Sequence, residues 1–305
     1  MNLPKVSVVI PTHNRKAKVV RLIESLMKSN YPNASIEIIV IDAASSDGTY
    51  VEVKKNFPLI HIYRSDEELW PAASRNVGIK ISSGDLLLFI DDDNLLDVEA
   101  LHHLVGCMVS KVDVGICAPL MLYSGSDEIW CAGIKRNMVT SITTFLHEGE
   151  KLREDLLPPF IESDDFPNCF MVRREIIMKE KIAFDEIAFP INFEESDFIC
   201  KIKQLGFKAV CVTKAIDWHD ARRSSQTGFE SELRTYYFAR NRILFQRRYT
   251  KVWEFALYIV VFNWVIMSYY LWTILSKISN KRITIIKSYL KGLRDGIREV
   301  LMNSL

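Results

Sequence analysis

Residues 84–94 read GDLLLFIDDDN, an apolar run that ends in three consecutive carboxylates. The five apolar residues 86–90 are too few for a helix of their own and are bounded by Gly84 and Asp91, so they predict a buried strand of a parallel sheet. Asp91, Asp92 and Asp93 then sit at the strand's carboxyl end, the edge at which open α/β sheets bind ligands. Adjacent carboxylates repel one another, which calls for a cation or a hydroxyl-rich ligand between them. A hard divalent ion, Mg²⁺ or Mn²⁺, suits: it accepts one or two carboxylates and fills its other positions with water and phosphate oxygens. The alternative is a solvated acidic turn before a helix starting near Val98, with Asp97 as its N-cap.

Upstream, the β-branched run 6–10 stops at Pro11, and residues 16–29 follow with apolar positions at 19, 20, 23, 26 and 27, a helical period. The intervening PTHNR, residues 11–15, therefore falls on the same edge as the acids. A second strand, 36–41, ends at Asp42 and leads into AASSDGT, a run of caps and turn formers. A third strand is expected at 59–63, a helix at 72–81 with Ser74, Arg75 and Asn76 in its first turn, and a further strand at 114–118 before Pro119. This alternation predicts an α/β fold with a doubly wound parallel sheet. Neither GxGxxG nor GxxxxGK[ST] occurs, so phosphate is expected to be handled by metal rather than by a glycine cradle.

The 305 residues suffice for one large α/β domain or two small ones. The net charge of +1 hides an asymmetry: from Arg240 onward 12 Lys and Arg stand against 3 Asp and Glu, which leaves the preceding body acidic. A basic, aromatic tail beside an apolar span points to an anionic membrane surface, and no nucleic-acid motif accompanies it. The six cysteines show no metal-ligand spacing and read as reduced core thiols. The amino end has no long apolar segment, so the catalytic body is expected on the cytoplasmic side of a cell membrane.

VSVVIPTHNR, IVIDAASSDGT, SRNVGI and GDLLLFIDDDN, in that order, resemble family 2 of the inverting glycosyltransferases over residues 5–250. The resemblance implies the A-type nucleotide-sugar transferase (GT-A) fold, a Rossmann-like, mostly parallel sheet flanked by helices. It also implies a nucleotide-sugar donor, UDP-linked in the usual case, lying against Pro11, Thr12, His13 and Arg15; His13 stands where the family commonly has Tyr. Asp42 would accept from the base, Arg75 would lie alongside it, and Asp91 would contact the ribose. The metal would bind at Asp93 with Asp91, and the choice between Asp92 and Asp93 stays open because all three positions are Asp. The implied organisation is a nucleotide-sugar half at 1–118, an acceptor and catalytic half of the same domain at 119–250, and membrane-associated helices at 251–305.

FPNCFMVRREII, 166–177, is similar to the family's segment near the sugar, with Asn168 and Cys169 closest; Arg173, Arg174 and Glu175 read as surface charges. In NFEESDFICKIKQLGF, Phe198, Ile199, Ile202 and Leu205 are spaced for a helix ending at Gly206. Glu194, Glu195 and Asp197 cluster at its amino end, where the helix dipole favours anions and capping alone would account for them. The family's Glu/Asp-Asp-x-Asp motif instead supplies the general base here, at the second position, which is Glu195; Asp197 is the second candidate. His219, in AIDWHD, reads locally as a surface histidine. The resemblance makes it the residue that completes the metal site.

YYFARNRILFQRRY, 236–249, resembles the segment before the membrane region of polyprenyl-linked sugar transferases. Residues 255–275 carry no charge over 21 positions, about enough to span ~30 Å of hydrocarbon. Trp253, Tyr269, Tyr270 and Trp272 near its ends fit an aromatic belt. The basic, helically periodic 283–301 reads as an interfacial helix, with no obvious packing partner for the span. Basic residues flank both ends, so crossing and dipping back are both open. The expected reaction is inverting, metal-dependent sugar transfer by single displacement to a hydroxyl of a glycan or lipid-linked acceptor. The alternatives are a nucleotidyltransferase of related fold and a non-catalytic membrane-bound nucleotide-sugar binder; the first lacks its Gly-rich, Arg-containing loop.

Overall fold

The computed structural model describes residues 3–153, 157–220, 231–277 and 281–302. The chain opens with β1 (Val6–Thr12), α1 (Lys16–Met27), β2 (Ile36–Asp42), α2 (Thr49–Asn56), β3 (His61–Arg64), α3 (Pro71–Ile81), β4 (Leu86–Ile90), a short β5 (Asn94–Leu96), α4 (Ala100–Ser110) and β6 (Val114–Tyr123). It continues through β7 (Ile129–Cys131), the hairpin β8 (Ile134–Asn137) and β9 (Ile142–Phe145), β10 (Phe160–Glu162), β11 (Cys169–Arg173), α5 (Arg174–Glu180), α6 (Glu194–Gln204) and β12 (Lys208–His219). The tail is α7 (Glu232–Tyr249), α8 (Val252–Leu257), a π-turn at Tyr258–Phe262, α9 (Asn263–Lys277) and α10 (Arg282–Met302).

The main sheet runs β10-β12-β6-β11-β4-β1-β2-β3. β1 pairs in parallel with β2 and β4, and β2 with β3, while β11 is inserted antiparallel between β4 and β6. Side chains alternate along each strand, and that period of two builds two cores. Leu86, Leu88 and Ile90 of β4 pack with Leu22 and Ile23 of α1 and Leu104 of α4. Leu87 and Phe89 face the other way, onto Ala72 of α3, Ile176 of α5 and Phe198 of α6. Every residue of β4 is buried, as its continuous apolar run requires.

Three expectations are corrected. β6 does not stop before Pro119 but runs to Tyr123, so a boundary at 118 cuts a strand; Pro119 lies beside the register break between Val212 and Ile216 of β12, where its missing N–H is tolerated. The helix after the acids begins at Ala100, with Glu99 as N-cap, and Asp97 instead accepts the Glu99 N–H in the turn before it. The tail is not without partners: Ala239 and Ile243 of α7, Tyr258, Ile266 and Ile274 of the apolar span, and Ile285, Tyr289 and Leu293 of α10 form a third buried cluster.

Candidate functional site

β1, β2 and β4 all end at one sheet edge, which brings Thr12, Asp42 and Asp91 together as parallel pairing demands. A cleft of about 290 Å³ opens there, lined by Pro11, Thr12, His13, Arg15, Asp91 and Asp92, with Trp70 and Arg234 also in its lining. His13 is held by Nδ1 against the Ala43 carbonyl at 2.6 Å. The backbone around the cleft is locally unusual: Asn14, Ala44, Asn168, Asn192 and Phe193 all have positive φ. For a residue as large as Phe193 that conformation is strained, and such strain persists where the surroundings over-determine it.

The three acids have three environments. Asp92 is buried, accepting from Thr12 Oγ1 at 2.7 Å and Arg15 Nη1 at 2.9 Å. Burial, opposed by Arg15 and helped by Asp93, pushes its pKa up to about 6. Asp93 faces Arg15, Lys18 at 3.5 Å and His219 Nε2 at 3.5 Å. Burial would raise its pKa, but His219, Arg15 and Lys18 together hold it well below the ordinary carboxylate range. Asp91 is the most open of the three, about one-third exposed, and accepts from Arg75 Nη2 at 2.8 Å.

Arg75 is the hub of the site. Its guanidinium, 1% exposed, donates to Asp91, to Glu194 at 3.1 Å and to Glu195 at 2.6 Å. Three carboxylates enclose it, and other residues line the cleft. Asp42 is likewise fully buried, with Oδ1 accepting the Ser45 N–H and Oδ2 facing Arg64 at 3.4 Å, and the cleft wall beside it is Ala43.

Glu195 lines a second cavity of about 210 Å³, with Arg136, Asp165, Phe193, Phe238 and Arg242 among its walls. Its Oε1 also accepts the Asn168 N–H at 3.2 Å. Burial raises the Glu195 pKa well above normal; Arg75 opposes, and the nearby Glu194, Asp91 and Asp165 add to the rise. Glu194 is pushed the same way, by burial against the pull of Arg75. Asp197 is different in kind. It is completely buried and clamped by Arg248, Tyr249 and Lys201, each at 2.7 Å, which gives it a structural tie that Glu195 lacks. Cys169 is buried at the start of β11, and its neighbour Asn168 meets Glu195 only through its backbone N–H.

Arg173, expected on the surface, instead donates to the carbonyls of Met108, Lys111 and Val114 and ties α4 to β11. Trp70, Lys18, Arg136, Arg234 and Arg242 were not singled out by the sequence. Trp70 alone left a trace there, as an aromatic immediately before the proline that starts α3.

The family model described as Glycosyl transferase family 2 matches residues 7–180, more than half of the chain. Among curated relatives, an uncharacterized glycosyltransferase of Haemophilus influenzae is 41% identical over 88 residues, 29% of either chain. Poly(ribitol-phosphate) beta-N-acetylglucosaminyltransferase TarS of Staphylococcus aureus is 33% identical over 32% of this chain and 18% of its own length. Glycosyltransferase AglE of Haloferax volcanii is 36% identical over 30% of this chain and 31% of its own. The matched stretch thus spans less than a third of each of these relatives. Among solved structures, GalNAc-T7 with UDP, GalNAc and Mn²⁺ superposes with a TM-score of 0.61 at 20% identity, over 79% of this chain and 48% of that one. The mannosyltransferase PcManGT of Pyrobaculum calidifontis, in complex with GDP-Man and Mn²⁺, superposes with a TM-score of 0.59 at 13% identity, over 99% and 87%. These likenesses establish the GT-A type of fold.

Proposed function

The chain belongs to glycosyl transferase family 2, and from that membership we propose that it transfers a sugar from a nucleotide-diphospho-sugar, UDP-linked in our reading, to an acceptor hydroxyl with inversion. The observation that carries the proposal is Arg75, which ties Asp91 in the first cleft to Glu195 in the second. Donor and acceptor sites thereby share one charged hinge, with a carboxylate of raised pKa on the acceptor side.

In this reading the donor lies in the first cleft against Pro11, Thr12, His13 and Arg15. The attacking acceptor oxygen forms the new bond to the anomeric carbon as the bond from that carbon to the diphosphate oxygen breaks. The displaced hydroxyl proton goes to Glu195, whose raised pKa brings it nearer the pH at which a general base works best. Arg15, with its guanidinium among the acids, is placed to meet charge developing on the leaving diphosphate.

The residues also fit a divalent metal. Asp93 and His219 face each other at 3.5 Å, a separation suited to adjacent positions around one cation. The His219 ring packs tilted against Trp130, with centroids 4.3 Å apart, and its Nδ1 is buried without a hydrogen-bond partner. Among the described residues no group of three or more such ligands gathers, so the protein side of the site rests on this one pair, and phosphate and water would have to fill the remaining positions. When bound, Mn²⁺ or Mg²⁺ would supply Lewis-acid neutralisation of the diphosphate. Of the acids, Asp93 suits the metal better than Asp92, which is buried against Thr12 and Arg15.

We assign the tail to a membrane, with the body on the cytoplasmic side and a glycan or lipid-linked acceptor reached there. Support comes from the helix Val252–Ser276, long and apolar enough to cross a membrane, whose most apolar 18-residue stretch is only 17% buried within the protein. A core helix would be mostly covered. The test of the reaction is nucleoside diphosphate release across a panel of nucleotide sugars and acceptors, with Mn²⁺ and then EDTA. Glu195→Gln should cut turnover ~10²-fold or more while donor binding persists; full turnover by that variant would remove Glu195 from the mechanism.

A further inference from the structure

We propose that the acceptor carries a phosphate group and that Arg242 binds it in the cavity beside Glu195; this rests on the transferase reading above. Arg242 lines that cavity with Glu195, Arg136 and Asp165. The two arginines differ in one decisive respect. Arg136 is paired with Asp165 and donates to Ser196 Oγ at 3.0 Å, so its charge is already neutralised. Arg242 is 7% exposed and, among the described residues, faces no carboxylate. Its Nη2 donates to the Tyr270 hydroxyl at 2.9 Å, its Nε is buried with no partner, and its guanidinium lies 4.4 Å over the Phe238 ring and 4.8 Å over that of Tyr270.

A buried cation without a counter-charge is costly to maintain, and two aromatic faces with one hydroxyl offset only part of that cost. The acids nearest the cavity cannot help: Asp165 is committed to Arg136 and Glu195 to Arg75. An anion brought in by the ligand would complete the shell, and the planar fork of a guanidinium matches phosphate oxygens. The location narrows the source. Tyr270, which holds Arg242, belongs to α9, within the apolar helix whose outer side exposes Trp253, Trp264 and Trp272. Tyrosine and tryptophan in such belts lie at the headgroup level of a bilayer, where the phosphate of a lipid-linked acceptor would also lie. Arg242 is thus a binding residue that selects the acceptor rather than one that does chemistry.

The test is calorimetric titration of the full chain in neutral detergent with EDTA present, using hexyl phosphate, inorganic phosphate and hexanoate as probes. Hexyl phosphate should bind the wild type and, in a parallel titration with Mn²⁺ in place of EDTA, should not be displaced by UDP. Arg242→Gln should weaken that binding at least about tenfold, Arg242→Lys should retain most of it, and UDP binding with Mn²⁺ should be the same in all three proteins. Hexyl phosphate binding more tightly than inorganic phosphate supports a lipid-linked acceptor, and equal binding supports a soluble phosphorylated glycan; both sustain the phosphate site. The proposal is overturned if the wild type binds neither phosphate, if hexanoate binds as well as hexyl phosphate, if UDP displaces the probe, or if Arg242→Gln binds like wild type. Failure of the transferase reading looks different: no donor releases nucleoside diphosphate, whatever happens at Arg242.

Discussion

One guanidinium cannot neutralise three carboxylates. Arg75 faces Asp91, Glu194 and Glu195, so full ionisation leaves two negative charges uncompensated in a largely buried cluster. Burial holds Glu195 above the ordinary glutamate value against the pull of Arg75, and repulsion from Glu194 and Asp91 adds to the rise. The consequence for stability has a definite sign. With its folded pKa raised, Glu195 contributes stability that is fully present below the unfolded value of about 4.3 and is lost as pH rises through the folded one. Glu195→Gln does not titrate, so its stability relative to wild type should increase from pH 4 to pH 8 in urea denaturation. The same residue should impose an acid limb on kcat, at a pH above the ordinary carboxylate range. A Glu195→Gln variant that is inactive and also less stable than wild type at pH 8 would show that the carboxylate is structural.

Whole elements explain where the sequence was readable. β2 and β4 are short apolar runs bounded by Asp42 and by Gly84 and Asp91, signals that lie at the ends of the run itself, whereas β1 runs on through Pro11 to Thr12; the carboxyl-edge placement of Asp91–Asp93 follows from parallel order alone. What Asp197 does was not readable, because its partners Arg248 and Tyr249 arrive from the far end of α7, 51 and 52 residues on. An acid at a helix amino end looks the same whether it catalyses, caps or clamps. Asp197→Ala should therefore cost about 3 kcal/mol of stability, as when one partner of a buried pair is removed, and should lower Tm rather than act on the chemical step alone. The α7–α10 contact was hidden for another reason: a helical apolar period does not specify whether its partner is lipid or protein. The resolving detail is small residues. A Cβ on Gly292 would come within 2.3 Å of the Tyr236 carbonyl oxygen, and one on Gly296 within 2.9 Å of that of Arg240. Gly292→Ala should push the helices apart at a cost of about 1–3 kcal/mol, read as earlier unfolding and faster proteolysis of the tail.

At the scale of the molecule, the chain is a dipole of composition. The 39 Lys and Arg and 38 Asp and Glu nearly cancel, yet 12 of the basic residues lie between Arg240 and the carboxyl end, against 3 acids. An anionic bilayer would attract that tail and repel the acidic body, so electrostatics would orient the protein as well as bind it. The apolar half of such a contact would be the outer side of Val252–Ser276, where Trp253, Val260, Trp264, Trp272 and Leu275 are exposed while Ile266 and Ile274 are buried. Amphipathic helices bind through apolar area plus charge, whereas a spanning helix does not depend on charge once inserted. The two arrangements therefore separate by experiment. The protein should float with phosphatidylglycerol vesicles, and replacing Trp253, Trp264 and Trp272 together by Ser should abolish flotation while leaving the thermal unfolding of the α/β body in place. If the helix lies in the interface, alkaline carbonate and high salt should strip the wild type from the vesicles. If it spans, neither should. Wild-type protein that fails to float under any condition would mean that another protein surface, not lipid, covers this face.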